Sequence, residues 1–221
     1  MAVDTAAVPD HKLGRRCGYS GSWSCGGARV ICWINGSFGS GKTTLAGELR
    51  WRCPGSLLYD PEEVGFMLRD VVPPAPSGDF QDLSAWRLLV VEAGRVLTEQ
   101  YGRLVITPMT VVNPAYAREI FDGLAGYGVP VRHFFLKVPA ARLRERISAQ
   151  VIHPDDIARD AEVRRWRLAQ VGRWCTAAMD ALPSDTVVLD GEMPVARLAD
   201  EVLDVLGRDE RFAVSGSVAG R

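Results

Sequence analysis

An α/β domain built on a parallel sheet is what this sequence predicts, and three observations predict it. Short apolar runs alternate with stretches of helical period, which is the pattern of strands covered by helices. A glycine-rich segment, Gly36-Ser37-Phe38-Gly39-Ser40-Gly41-Lys42-Thr43, falls between the first apolar run and the first helical stretch. The 221 residues, 47% hydrophobic and 24% charged, suffice for one buried core and argue against wholesale disorder and against two full domains.

Along the chain, residues 1–29 are rich in Gly, Ser and Asp without a period and read as a disordered leader. Within it His11, Cys17 and Cys25 follow no zinc spacing and lack a fourth ligand. The domain proper spans 30–206. Five strands are expected at 30–34, 56–59, 104–109, 131–138 and 186–189, each bounded by Gly, Pro, Asp or Arg. Helices fill the gaps. The first opens at Gly41 and the second at Pro61; the third covers 83–101, with Leu88, Val91, Val96 and Leu97 as its core residues. A fourth starts near Pro114. The fifth, 140–150, sets Leu143 and Ile147 one turn apart on one face. An arginine-rich stretch at 155–182 precedes the last helix, 194–206, whose Val195, Leu198, Val202 and Leu206 form one apolar stripe. Residues 207–221 turn polar and read as a flexible tail.

Charge narrows the partners. Lysine and arginine total 26 against 27 acids, a net charge of −1, which disfavours nucleic acid held by bulk charge. No apolar run is long enough to span a membrane; the longest, 88–91, ends at Glu92. Contact of the last helix with a membrane surface stays open, although its polar face is more acidic than basic. The five cysteines are odd in number, show no CxxC spacing and follow no export signal, which fits a reducing cytoplasm. Only three of the 26 basic residues are lysines (Lys12, Lys42, Lys137), so a lysine at a motif position is telling.

Lys42 is such a lysine. The segment from Gly36 to Thr43 satisfies G-x-x-x-x-G-K-[ST] in the strand–loop–helix context that a phosphate-binding loop requires. Glycines let successive backbone N–H groups turn inward around phosphate oxygens. The helix that opens at Gly41 adds unpaired amides and a positive dipole end. Lys42 is then placed for the β and γ phosphates and Thr43 for Mg²⁺, while Thr44 supports the helix.

Further segments recur together with the loop: Trp33-Ile34-Asn35-Gly36; Tyr59-Asp60-Pro61-Glu62 with Gly65-Phe66 and Leu68-Arg69; Asp79-Phe80-Gln81 with Trp86-Arg87; and Pro108-Met109-Thr110 with Asn113-Pro114. The combination resembles the tunicamycin-resistance ATP-binding proteins, a branch of the P-loop nucleoside-kinase-like group that includes gluconate, shikimate and chloramphenicol kinases. The likeness covers roughly residues 30–173 and continues more weakly to 206. It implies a P-loop NTPase fold with an adenylate-kinase-like sheet order 2-3-1-4-5, helices on both faces, ATP and Mg²⁺ as cofactors, and a role in surviving a nucleoside antibiotic.

By the same resemblance Asp60, at the carboxyl end of the second strand, is the base that takes the acceptor hydroxyl's proton. Asp before Pro61 is also an ideal helix cap, and one oxygen can cap while the other faces the site. The third strand ends in Thr107-Pro108-Met109-Thr110, without the magnesium-holding acid common at that point. Phe66, Arg69, Phe80, Gln81, Trp86, Arg87 and Thr110 are the acceptor-side candidates, mixing flat apolar surface with hydrogen-bond donors. The arginines on either side of His153-Pro154-Asp155-Asp156 read as a lid delivering positive charge to the transferring phosphoryl group, with Arg146 and Arg173 as its catalytic members. Asp190-Gly191-Glu192 is placed to border the adenine. Two functional readings follow: Mg-ATP-dependent phosphoryl transfer to a hydroxyl of a tunicamycin-like nucleoside or aminosugar antibiotic, and ATP-gated sequestration of such a drug without modification.

Overall fold

The computed structural model describes residues 28–176 and 182–209, the side chains of 173–176 excepted. Most of the expected leader, most of the expected tail and the side chain of Arg173 therefore lie outside the described residues. Chain order is β1 (Ile31–Gly36), α1 (Lys42–Arg52), β2 (Leu57–Leu58), α2 (Glu62–Arg69), a 3₁₀ turn (Phe80–Asp82), α3 (Ser84–Tyr101), β3 (Val105–Pro108), α4 (Pro114–Gly126), β4 (Val131–Lys137), α5 (Ala140–Ala149), α6 (Ile157–Thr176), β5 (Val187–Asp190) and α7 (Val195–Arg208). The sheet is parallel throughout with the order β2-β3-β1-β4-β5. β2 is shorter than its apolar run because it is an edge strand. Only the Leu57 and Tyr59 amides reach β3, at 2.8 and 2.9 Å, before Pro61 turns the chain into α2.

The period-two alternation of buried strands divides the core in two. Cys32, Ile34, Leu104, Ile106, Phe134, Leu136 and Leu189 face α1 and α7, where Leu45, Leu49, Leu198, Val202 and Leu206 meet them. Ile31, Trp33, Val105 and Met109 face the other way, toward Trp86, Val90 and Val91 of α3 and Ile120 and Leu124 of α4. A third cluster joins Leu143 and Ile147 of α5 to Val171 of α6 beside Phe38 of the glycine-rich loop. Carboxyl ends of β1, β2 and β3 thus converge on the loop that precedes α1.

Two expectations need correction. On α3 the buried stripe is Trp86, Val90, Gly94 and Thr98, one residue per turn, flanked by Arg87 and Val91. Leu88 and Val96 point to solvent, at 61% and 40% exposed, because they stand two residues, or about 200°, from that stripe. Cys53, at the end of α1, is disulfide-bonded. This departs from the expected set of reduced thiols. Cys32 is free and buried, and burial pushes its thiol pKa upward. Among the described residues no helix is long and apolar enough to cross a membrane.

Close packing also seats α2. Trp86 Nε1 donates to the Pro61 carbonyl at 3.0 Å, and a Cβ at Gly65 would stand 2.6 Å from the Phe80 ring. Gly65→Ala therefore overpacks this contact and is expected to lower stability by about 1–3 kcal/mol, read as a drop in the urea midpoint. An unchanged midpoint would show that Phe80 yields freely.

Candidate functional site

Three glycines with positive φ shape the phosphate loop: Gly36 (145°), Gly39 (75°) and Gly41 (101°). At Gly36 even a Cβ has no room, since it would lie 2.8 Å from Ser40 Oγ and 3.0 Å from the Leu136 carbonyl. The Ser40 amide closes a turn on the Ser37 carbonyl at 3.2 Å. Gly41 then sits left-handed at the start of α1, whose first amides have no intrahelical partner and lie at the positive end of the helix dipole. Lys42 folds back across the loop, its Nζ donating to the Gly36 and Ser37 carbonyls at 3.0 Å each. Burial lowers its pKa to about 8, opposed chiefly by the charge of Glu62 and less by Asp60. Thr43 and Thr44 are exposed at the helix start. Such a donor set suits a polyphosphate, with the Thr43 hydroxyl free to take a magnesium ion.

The loop is held from below. Asn35 Oδ1 accepts from the amides of Gly36 (2.7 Å) and Val111 (3.1 Å), and its Nδ2 donates to the Val111 carbonyl (2.7 Å) and to His133 Nε2 (3.2 Å). Burial lowers the His133 pKa to about 4, so the ring is neutral. With Nε2 accepting, the proton is on Nδ1, which donates to Thr186 Oγ1 at 2.8 Å. Thr110 Oγ1 donates to the Gly36 carbonyl at 2.8 Å, and Gln81 Nε2 to the Thr110 carbonyl at 3.0 Å.

Asp60 occupies the carboxyl edge beyond β2, where its Oδ1 accepts the Glu62 amide at 2.9 Å. That bond caps α2 and leaves the second oxygen uncommitted. Burial raises the Asp60 pKa, against the opposing pull of the Glu62 amide and of Lys42. The Glu62 pKa is raised by burial and by Asp60, while Lys42, Arg167 and Arg69 draw it down. Among the described residues no cluster of three or more His, Cys, Asp or Glu side chains is placed to hold a metal ion. A magnesium ion would rest on Thr43, phosphate oxygens, water and Asp60.

Three acceptor-side candidates are committed elsewhere. Trp86 is fully buried beneath α2. The Arg87 guanidinium is taken by Glu119 (2.6 Å), the Gln81 carbonyl (2.6 Å) and the Tyr116 ring (4.3 Å). Thr110, 2% exposed, supports the loop rather than facing an acceptor. Each is drawn inward because the first turn of α3 and the exit of β3 form the floor of the site. Phe66 and Arg69 stay exposed, with Arg69 lying over the Phe66 and Phe80 rings at 5.1 and 5.6 Å. Asn113 caps α4 through the Ala115 amide at 3.0 Å.

Arg146 does not approach as a free cation. Its guanidinium donates to the Ser40 carbonyl at 3.3 Å and the Gly191 carbonyl at 3.0 Å, tying the phosphate loop to the turn after β5. The arginine that reaches over the loop is Arg167, stacked on Phe38 at 4.9 Å and donating to Gln150 Oε1 at 3.2 Å. Phe38 also meets Trp166 edge-on at 5.2 Å. The turn between α5 and α6 is firmly built: Asp160 Oδ1 accepts the Ile152 and His153 amides at 2.7 and 3.1 Å, and Arg164 bonds both Asp160 and the Gln150 carbonyl. In the sequence Arg167 is one undifferentiated arginine of the lid and Glu62 only a neighbour of Asp60. A second carboxylate two residues after Asp60 was the available signal for Glu62; nothing local singles out Arg167 from Arg164 and Arg165. A cavity of about 800 Å³ between α4 and the start of β4, bordered by Arg118, Phe121, His133 and Asp185, lies apart from the loop.

Comparison with known proteins agrees with this geometry. The family model described as AAA domain matches residues 31–173. No curated protein matches the sequence. Among solved structures the chain is similar to the tunicamycin resistance protein of Deinococcus radiodurans, at 28% identity and TM-score 0.59 over 80% of this chain and 95% of that one. It shares its fold with a sugar kinase from a Janibacter species (21% identity, TM-score 0.56, 87% and 99% covered). The same holds for a gluconokinase from Sinorhizobium meliloti (16%, TM-score 0.53, 82% and 93% covered).

Phosphate binding needs the charged lysine. Nucleotide affinity is therefore expected to fall as the pH rises through about 8, the value for Lys42, by at most about tenfold per pH unit. Calorimetric titrations on either side of that value check it; an affinity that stays level well above it would contradict this role for Lys42.

Proposed function

We propose that this chain, which belongs to the AAA domain family through residues 31–173, is an ATP-dependent phosphotransferase acting on a small nucleoside or aminosugar antibiotic of the tunicamycin type. The observation that carries the reading is the uncommitted oxygen of Asp60, on the carboxyl edge of the sheet within the field of Lys42. Similarity to the tunicamycin resistance protein of D. radiodurans supports the choice of drug.

Mg-ATP, when bound, would supply the phosphoryl group and the positive charge of the metal. The loop amides and Lys42 hold the β and γ phosphates, and Thr43 offers its hydroxyl to the metal. Asp60 accepts the proton of the acceptor hydroxyl while the new P–O bond forms and the bond to the β-phosphate breaks, releasing ADP. Arg167, over Phe38, brings positive charge to the transferring group, and Arg146 keeps the loop in register. Phe66, Arg69, Phe80 and Gln81 form the acceptor side. Arg173 belongs to the same helix as Arg167 and is kept as a second cation of the lid.

One observation favours a second reading, ATP-gated binding of the drug without chemistry. β3 ends in Thr107 and Pro108 where an acid would help hold magnesium. Incubation of the protein with Mg-ATP and tunicamycin, followed by mass spectrometry of the drug, separates the two. Transfer predicts a product heavier by one phosphoryl group, formed about 10²–10⁴-fold more slowly by Asp60→Asn. Unmodified drug that binds tightly only with ATP would establish sequestration.

A further inference from the structure

We propose that the cavity between α4 and the start of β4 is a second binding site, which takes a small organic cation with a flat apolar body and whose occupancy is felt at the phosphate loop through His133 and Asn35. The site stands on its own geometry; only its effect on nucleotide rests on the reading above.

The cavity is a separate feature with fixed walls. Its volume of about 800 Å³ suits a small molecule, and none of its lining residues belongs to the phosphate loop, α1 or α2. The Phe121 ring meets Trp33 edge-on at 5.3 Å and lies 5.1 Å from the His133 ring. His133, 3% exposed, is held at both nitrogens, by Asn35 and Thr186. The Thr186 amide closes the segment before β5 on the Pro183 carbonyl, and the Ile31 amide ties the segment before β4 through the Pro130 carbonyl, both at 3.0 Å. Walls tied down in this way receive a ligand with little reorganisation.

The charges at the mouth set the charge of the ligand. Asp122 comes from α4 and Asp185 from the segment before β5, with Arg118 one turn before Asp122; all three border the cavity and are exposed. None of the ion pairs among the described residues involves any of them. Two carboxylates against one guanidinium favour a cation. Among the described residues they form no metal-holding cluster with His133, so the cation is organic, and the Phe121 ring offers a surface for its flat body. Two hydrogen bonds join this floor to the loop: Asn35 donates to His133 Nε2 and accepts the Gly36 amide. A ligand that steadies the His133 ring steadies the loop in the shape that receives phosphate, which lowers the ordering cost of the nucleotide.

The test titrates the full chain with three probes that share one ring system, tryptamine, tryptophol and indole-3-propionate, followed by saturation-transfer NMR and calorimetry. Affinity should fall in that order, from ammonium to hydroxyl to carboxylate. Asp122→Asn and Asp185→Asn should each weaken tryptamine by up to about fivefold, Arg118→Gln should strengthen it, and Glu201→Gln on α7, outside the cavity, should leave it unchanged. Saturating tryptamine should tighten Mg-ATP, and saturating Mg-ATP should tighten tryptamine by the same factor. Tryptamine that does not bind, that binds no better than tryptophol, or that ignores both aspartate variants overturns the site. Tryptamine that binds as expected and leaves Mg-ATP affinity unchanged overturns the link to the loop. A chain that fails to bind Mg-ATP while the aspartate variants act on tryptamine as expected overturns the nucleotide reading and upholds the site.

Discussion

The Asn35 amide makes all four hydrogen bonds open to it, and the geometry of the carboxyl edge depends on that. Its bonds run to Gly36, twice to Val111 and to His133, so one side chain joins the start of the phosphate loop, the exit of β3 and the body of β4. A buried amide that loses a partner forfeits about 1–3 kcal/mol, which makes the arrangement cooperative. His133 must stay neutral to accept from Asn35, and its burial ensures this. The glycine conformations of the loop are then held by the sheet rather than by a ligand.

From that anchor the site assembles in layers. Thr110 and Lys42 share the Gly36 carbonyl, Gln81 bonds Thr110, and Arg87 bonds Gln81. This chain of contacts carries the α3 side of the domain up to the loop. On the opposite side Gly39 abuts Ile147 and Arg146 of α5, and Phe38 receives Trp166 and Arg167 of α6. Cations therefore reach the loop from α1 and α6 and carboxylates from the start of α2, the separation of charge that phosphoryl transfer uses.

The parallel sheet, its five strands and the phosphate loop were legible because strand alternation and positive-φ glycines are local demands. Sheet order came from the resemblance, since no local pattern says which strands become neighbours. The α3 core was misread at Leu88 and Val96 because apolar residues on that helix exceed what one face can bury; Trp86 and Gly94, not the aliphatic count, set the phase. Trp86, Arg87 and Thr110 looked like acceptor contacts because each adjoins a motif. Their actual partners, Pro61, Glu119 and Gly36, lie 25, 32 and 74 residues away. Arg167 was hidden for the same reason: it stacks on Phe38, far off in the chain.

That account stands on the loop binding a nucleotide through its phosphates, and ³¹P NMR of Mg-ATP mixed with the full chain measures this without assuming any acceptor. The β and γ resonances should shift and broaden more than the α resonance, and Lys42→Ala should leave all three where they are in free Mg-ATP. Resonances that do not move with the wild-type chain, or that move equally with Lys42→Ala, would contradict it.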